Sequence, residues 1–157
     1  MQNTDATKKK ILYVDMDNVL VDFPSGIDRL DPAVRAAYDG HLDDAPGIFA
    51  LMDPMPGAVE GFHRLAAHYD TYILSTAPWK NPSAWSDKVR WVKQHLGDAS
   101  YKRLILTHHK DLNRGDYLID DRTKNGADRF EGEHIHYGTE PFPDWAAVVA
   151  YLMPWAD

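Results

Sequence analysis

Short apolar runs alternate along the chain with stretches whose apolar residues recur every three or four positions, the pattern of strands interleaved with helices. Ile11-Leu12-Tyr13-Val14 and residues 71–74, 104–107, 117–119 and 134–137 predict five β-strands. Val59, Phe62, Leu65 and Ala66 predict a helix opened by Pro56-Gly57. Trp85, Val89, Val92 and Leu96 predict a second over residues 81–96, with Gly97 as its stop. Val148, Val149 and Leu152 predict a last one over residues 144–153, and Trp85, Trp145 and Trp155 are assigned to packing. Such alternation predicts an α/β fold in which helices flank a central parallel sheet.

Residues 22–56 break this rhythm. They are rich in Asp, Pro and Gly, carry Phe23, Tyr38 and Phe49, and read as a small lid inserted beside the end of the first strand. Within them Asp31 is an expected N-cap and Pro32 a first helical residue, opening a short helix. With 157 residues the chain fits one domain, 1–157, with 22–56 as its cap.

Composition narrows the function classes. Hydrophobic residues at 44% and charged residues at 26% exclude wholesale disorder. No run approaches the roughly eighteen apolar residues of a membrane-spanning helix. Residues 1–10 are basic without an apolar stretch, so no signal peptide is expected. The absence of cysteine excludes disulfides, thiolate metal sites and cysteine nucleophiles, and fits a cytoplasmic setting. A net charge of -7 argues against a nucleic-acid polymer as partner, because such binding is driven by Lys and Arg. A small phosphorylated substrate would need local cations or a metal.

Candidate chemistry collects where the apolar runs end, which is where open α/β sheets bind ligands. Asp15 and Asp17 follow the first run; if they converge they repel, and a cation relieves the repulsion. On these residues alone a strand-ending Asp-x-Asp turn explains the pair equally well. The second run leads into Ser75-Thr76-Ala77-Pro78, whose hydroxyls and amides suit phosphate oxygens. The third leads through His108 and His109 to Lys110, and the fourth into Asp120-Asp121, a second acidic pair for an oxygen-ligated Mg²⁺. His134 and His136 are explained by strand alternation better than by a second metal.

Asp15-Met16-Asp17-Asn18-Val19-Leu20, Ser75-Thr76, Lys110 and Asp120-Asp121, in this order and each after an apolar run, resemble the four motifs of the haloacid dehalogenase superfamily. Residues 15–23, Pro54-Met55-Pro56-Gly57-Ala58-Val59-Glu60, Ser75-Thr76-Ala77-Pro78 and Leu118-Ile119-Asp120-Asp121-Arg122 are similar to its 5'(3')-deoxyribonucleotidase branch. The resemblance implies a three-layer Rossmann-like fold and hydrolysis of deoxyribonucleoside monophosphates. In it Asp15 is the nucleophile, Asp17 the acid/base, Thr76 and the next amide a phosphate cradle, and Lys110 the charge balance. It implies Mg²⁺ held by Asp15, Asp17 and one or both of Asp120 and Asp121, with Asp121 favoured.

Asn18 stands where many members carry glycine, which is permissible if that turn needs no positive φ. Ala77 stands where the branch carries serine and removes one hydroxyl. Phe23, Phe49 and Trp79 are the candidate rings for stacking on a base, and Ser75, Thr76, Ala77 and Lys110 complete the expected substrate contacts. A phosphatase for sugar phosphates or other metabolites, and a silent nucleotide- or partner-binding module, are the rival readings. A homodimer stays open as the assembly.

Overall fold

Strand β1 (Ile11–Val14) lies between two hydrogen-bonded neighbours, which makes it the axis of a five-stranded sheet. The chain is described here by a computed structural model over residues 8–155. The expectation that residues 1–10 form no signal peptide therefore falls largely outside the described residues. The remaining strands of the sheet are β4 (Asp70–Ser75), β5 (Leu104–Leu106), β6 (Tyr117–Asp120) and β7 (Glu133–His136). Their order is β5-β4-β1-β6-β7 and every pairing is parallel, with Val14 beside Ile73 on one side and Ile119 on the other. All five expected strands are present, with no end shifted by more than about one residue.

A parallel strand buried on both faces favours continuous apolar sequence, and Leu12 and Val14 are wholly buried. Helices α3 (Ala58–Ala66), α4 (Pro82–Leu96) and α5 (Trp145–Leu152) share one large core with Leu12, Val14, Ile73, Ile119 and Ile135. The opposite face carries Tyr13, Leu74 and Leu118, packed with Ala127 and Phe130. Single 3₁₀ turns at Lys110–Leu112 and Ala127–Arg129 stand there instead of long helices, so the third layer is thin. Gly115 allows this closeness: a Cβ there would lie 2.5 Å from the Tyr13 ring.

The segment between β1 and α3 is folded. Strands β2 (Val21–Asp22) and β3 (Asp53–Pro54) pair antiparallel at its neck. Helices α1 (Phe23–Arg29) and α2 (Pro32–Ala37) and two 3₁₀ turns, Leu42–Asp44 and Ile48–Ala50, fill it. Asp31 caps α2 through the Ala33 amide at 2.9 Å, as its sequence position predicts. The segment shares the main core through Ile48, Phe49 and Met52. Buried Asn81 latches it to the start of α4 by donating to the carbonyls of Asp43 (2.9 Å) and Ala45 (3.0 Å). Among the described residues, no helix is long and apolar enough to cross a membrane.

Two packing expectations fail. Val89 is exposed, because the buried stripe of α4 runs through Ala84, Lys88, Trp91, Val92 and Leu96. Trp155 is 60% exposed, with its ring edge-on to His68. Trp145, by contrast, is 2% exposed and donates its indole N–H to the Val19 carbonyl at 2.7 Å. Its ring lies against α3, where a Cβ on Gly61 would stand 2.6 Å from Cε3. Gly61→Ala is therefore expected to lower stability by about 1–3 kcal/mol through overpacking, read as a fall in the urea midpoint with the slope unchanged.

Candidate active site

Because β1 is flanked by β4 and β6, the residues that leave those strands emerge side by side at the carboxyl edge of the sheet. Asp15 and Asp17 leave β1, Ser75 and Thr76 end β4, and Asp120 and Asp121 end β6; Lys110 reaches the same place from the turn after β5. The Met16 carbonyl accepts the amides of Val19, Leu20 and Val21, folding the chain back so that Asp15 and Asp17 both face a cleft of about 390 Å³. That turn needs a positive φ at residue 18, contrary to the condition set for losing glycine there, and Asn18 supplies it at +60°.

Asp15 is 5% exposed, and the ammonium of Lys110 donates to its Oδ1 at 2.9 Å and also to Asp120. One carboxylate oxygen from each of Asp15, Asp120 and Asp121 lies within 4.8 Å of the others. Burial pushes Asp15 above the usual carboxylate range although Lys110 pulls the other way. Burial, followed by the Asp15 charge, pushes Asp121 up to about 7. For Lys110, burial acts downward, but Asp15 and Asp120 reverse it and hold the ammonium above its ordinary value. Three crowded carboxylates against one ammonium, all offering hard oxygen donors, fit a divalent cation such as Mg²⁺.

The acidic pair divides its partners. Asp120 accepts from Lys110 and, through Oδ1, from the Arg122 amide at 3.0 Å. Asp121 enters no ion pair among the described residues.

Asp17 is served by a residue that sequence reasoning missed. Lys88, wholly buried on α4, donates to Asp17 Oδ1 (3.1 Å), Ser75 Oγ (2.7 Å) and the Thr76 carbonyl (3.1 Å). Its ammonium also sits 4.7 Å from the centre of the Phe49 ring, a cation–π contact. A signal was present: Lys88 falls in phase with Ala84, Trp91 and Val92, but a lysine on an apolar stripe reads as solvated. Burial raises Asp17 above its ordinary value, against the opposing pull of Lys88.

Lys88 also corrects two substrate assignments. Ser75 is wholly buried with its hydroxyl held by the ammonium, and Phe49 is 2% exposed beneath it, so neither side chain faces the cleft. Ala77 has a wholly buried side chain and offers only backbone. The Thr76 hydroxyl lines the cleft but donates to the Thr107 carbonyl at 2.7 Å, so a phosphate oxygen would compete for that proton. Phe23 is half-buried, edge-on to Phe49, and borders an adjoining hollow beside Asp17. Trp79 is 79% exposed on the rim, edge-on to His108. Lys80, Arg122 and Lys124 add positive charge to the cleft, and Asp43 and Asp44 add negative charge from the cap side. His109 is exposed and lies outside it.

The sequence family described as "5' nucleotidase, deoxy (Pyrimidine), cytosolic type C protein" matches residues 28–142. The chain belongs to this family of phosphoric monoester hydrolases. A relative of this family member from Vibrio phage KVP40, provisionally named a 5'(3')-deoxyribonucleotidase, is 62% identical over 93% of this chain and 86% of its own. The human cytosolic-type 5'(3')-deoxyribonucleotidase is 34% identical over 79% of this chain and 77% of its own. A solved haloacid dehalogenase-like family hydrolase from Xanthomonas campestris shares the fold, with a TM-score of 0.55 at 12% identity over 94% of this chain and 96% of its own.

In this 5'-nucleotidase-family chain, removing Lys88 strands a buried carboxylate. Lys88→Met is expected to cost stability near the lower end of the ~3–5 kcal/mol typical of a broken buried pair, since the Asp17 side chain is 30% exposed. Chemical denaturation of the purified variant measures it. A pH effect follows from Asp121, whose folded value of about 7 lies above its ordinary 3.8. Between those values the folded state holds a proton that the unfolded chain has released. That contribution is full below pH 3.8 and is lost as pH rises through 7. Metal-free protein should therefore melt higher at pH 5 than at pH 8, and Asp121→Asn should shrink the difference.

Proposed function

We propose that the chain is a Mg²⁺-dependent phosphomonoesterase that hydrolyses deoxyribonucleoside monophosphates through an aspartyl-phosphate on Asp15. The observation that carries this reading is the meeting of Asp15, Lys110, Asp120 and Asp121 at one strand edge, with Asp17 beside them on its own lysine.

The Oδ atom of Asp15 attacks phosphorus in line as the ester P–O bond breaks, and Asp17 gives its proton to the departing alkoxide oxygen. A carboxyl raised above its ordinary range by burial suits that donation. Asp17 then takes a proton from a water that attacks phosphorus, breaking the bond to Asp15 and releasing phosphate. Lys110 keeps Asp15 aimed and counters charge on the phosphoryl oxygens, and amides after Thr76 offer further donors. Asp15, the Asp17 backbone carbonyl and Asp121 would hold Mg²⁺, with Asp120 committed to Lys110; the ion would neutralise the gathering negative charge.

Phe23 and Trp79 are the rings left to meet the nucleoside, and Lys80, Arg122 and Lys124 favour a substrate carrying negative charge. Purified protein is assayed with Mg²⁺ against deoxynucleoside, ribonucleoside and sugar monophosphates. The expected outcome is highest kcat/KM on deoxynucleoside monophosphates, loss with chelator, and a drop of several orders of magnitude for Asp15→Asn. A higher kcat/KM for a sugar phosphate favours the metabolite-phosphatase reading, and no turnover favours the binding module.

A further inference from the structure

His134 and His136 lie two residues apart on β7 and so project from the same face of this edge strand. Their rings stack at 5.3 Å with planes 24° apart. His134 Nε2 is 3.0 Å from the Asp120 carbonyl oxygen, and His136 Nε2 is 3.0 Å from that of Asp121. A carbonyl only accepts, so both Nε2 atoms carry hydrogen and donate. Through those nitrogens the pair acts as two hooks on the acidic loop.

The two carbonyls differ in how much they need the hooks. The β6–β7 register ends at Asp120 opposite His136, and the Asp120 carbonyl also accepts the Tyr137 amide at 3.1 Å. Asp121 lies one residue past the last rung, where the ladder offers no amide, and the His136 side chain supplies the missing donor. One residue's carbonyl and carboxylate swing together about the same backbone dihedrals, so fixing the one restricts the other.

We propose that His136, braced by the ring of His134, is a positioning residue that holds the Asp121 carboxylate toward Asp15 and thereby sets the affinity of the carboxylate cluster for a divalent cation. Nothing in this requires His136 to touch substrate. The inference rests on the metal assignment made above, and it is tested by readouts that do not need turnover.

Two variants separate the donated hydrogen bond from ring shape. His136→Gln keeps an amide N–H on a side chain of similar reach, whereas His136→Leu removes the donor. Calorimetric titration with MgCl₂ should show His136→Leu binding roughly 10- to 100-fold more weakly, the range for lost partners of metal ligands, with His136→Gln recovering most of the loss. In metal-free protein, hydrogen exchange of the Arg122 amide, which donates to Asp120 Oδ1, should quicken in His136→Leu and stay slow in His136→Gln. Unchanged exchange in His136→Leu overturns the proposal even if the wild-type chain binds no Mg²⁺. Equal loss in both variants also overturns it, because ring packing rather than the hydrogen bond would then be at work. Wild-type Mg²⁺ binding without ester hydrolysis would sink the proposed function and leave this inference standing.

Discussion

Crowded negative charge at the carboxyl edge of the sheet is the constraint to which the rest of this protein answers. Asp15, Asp120 and Asp121 bring carboxylate oxygens within 4.8 Å of one another where burial already disfavours ionisation. The chain answers with two buried lysines of separate duty: Lys110 joins Asp15 to Asp120, and Lys88 joins Asp17 to Ser75 and the backbone after it. Separate counter-ions thus serve two aspartates that stand two residues apart along the chain. Among the described residues, Asp121 is the one carboxylate of the three with no ion pair.

The scaffold makes this charge arrangement stiff. β1 is locked on both sides, so the acids that leave it have little freedom. Lys88 lies over Phe49, which belongs to the segment between β1 and α3, so the packing of that segment and Asp17 share one buried contact. The Asn81 latch holds the same cap segment next to the Ser75-Thr76-Ala77 turn. The segment between β1 and α3 and the carboxyl edge of the sheet are thus parts of one core rather than a lid resting on a finished body.

The strands, the Asp31 cap and the residues at the strand ends could be read in advance, because each depends on local pattern: apolar alternation, capping chemistry, polar groups after a run. What could not be read depended on contacts between distant segments. The expected α4 stripe held at Val92 and Leu96 but took Val89 in place of Lys88, because Val89 is apolar and Lys88 charged, and only the facing Asp17 and Ser75 make a buried lysine tolerable. Phe49 and Ser75 were assigned to the substrate because their positions beside the site were correct, while the lysine that turns them inward was unseen. The positive φ of Asn18 came from three amides converging on one carbonyl, a geometry no residue type announces.

The indole of Trp145 bonds to the Val19 carbonyl across 126 positions of sequence, tying the turn behind the first two aspartates to the last helix. On the ribosome the acids of β1 emerge early, yet the support behind their turn arrives only with α5, 126 positions after Val19. Chains truncated before residue 145 therefore carry the whole set of acids and lysines without the brace behind their first turn.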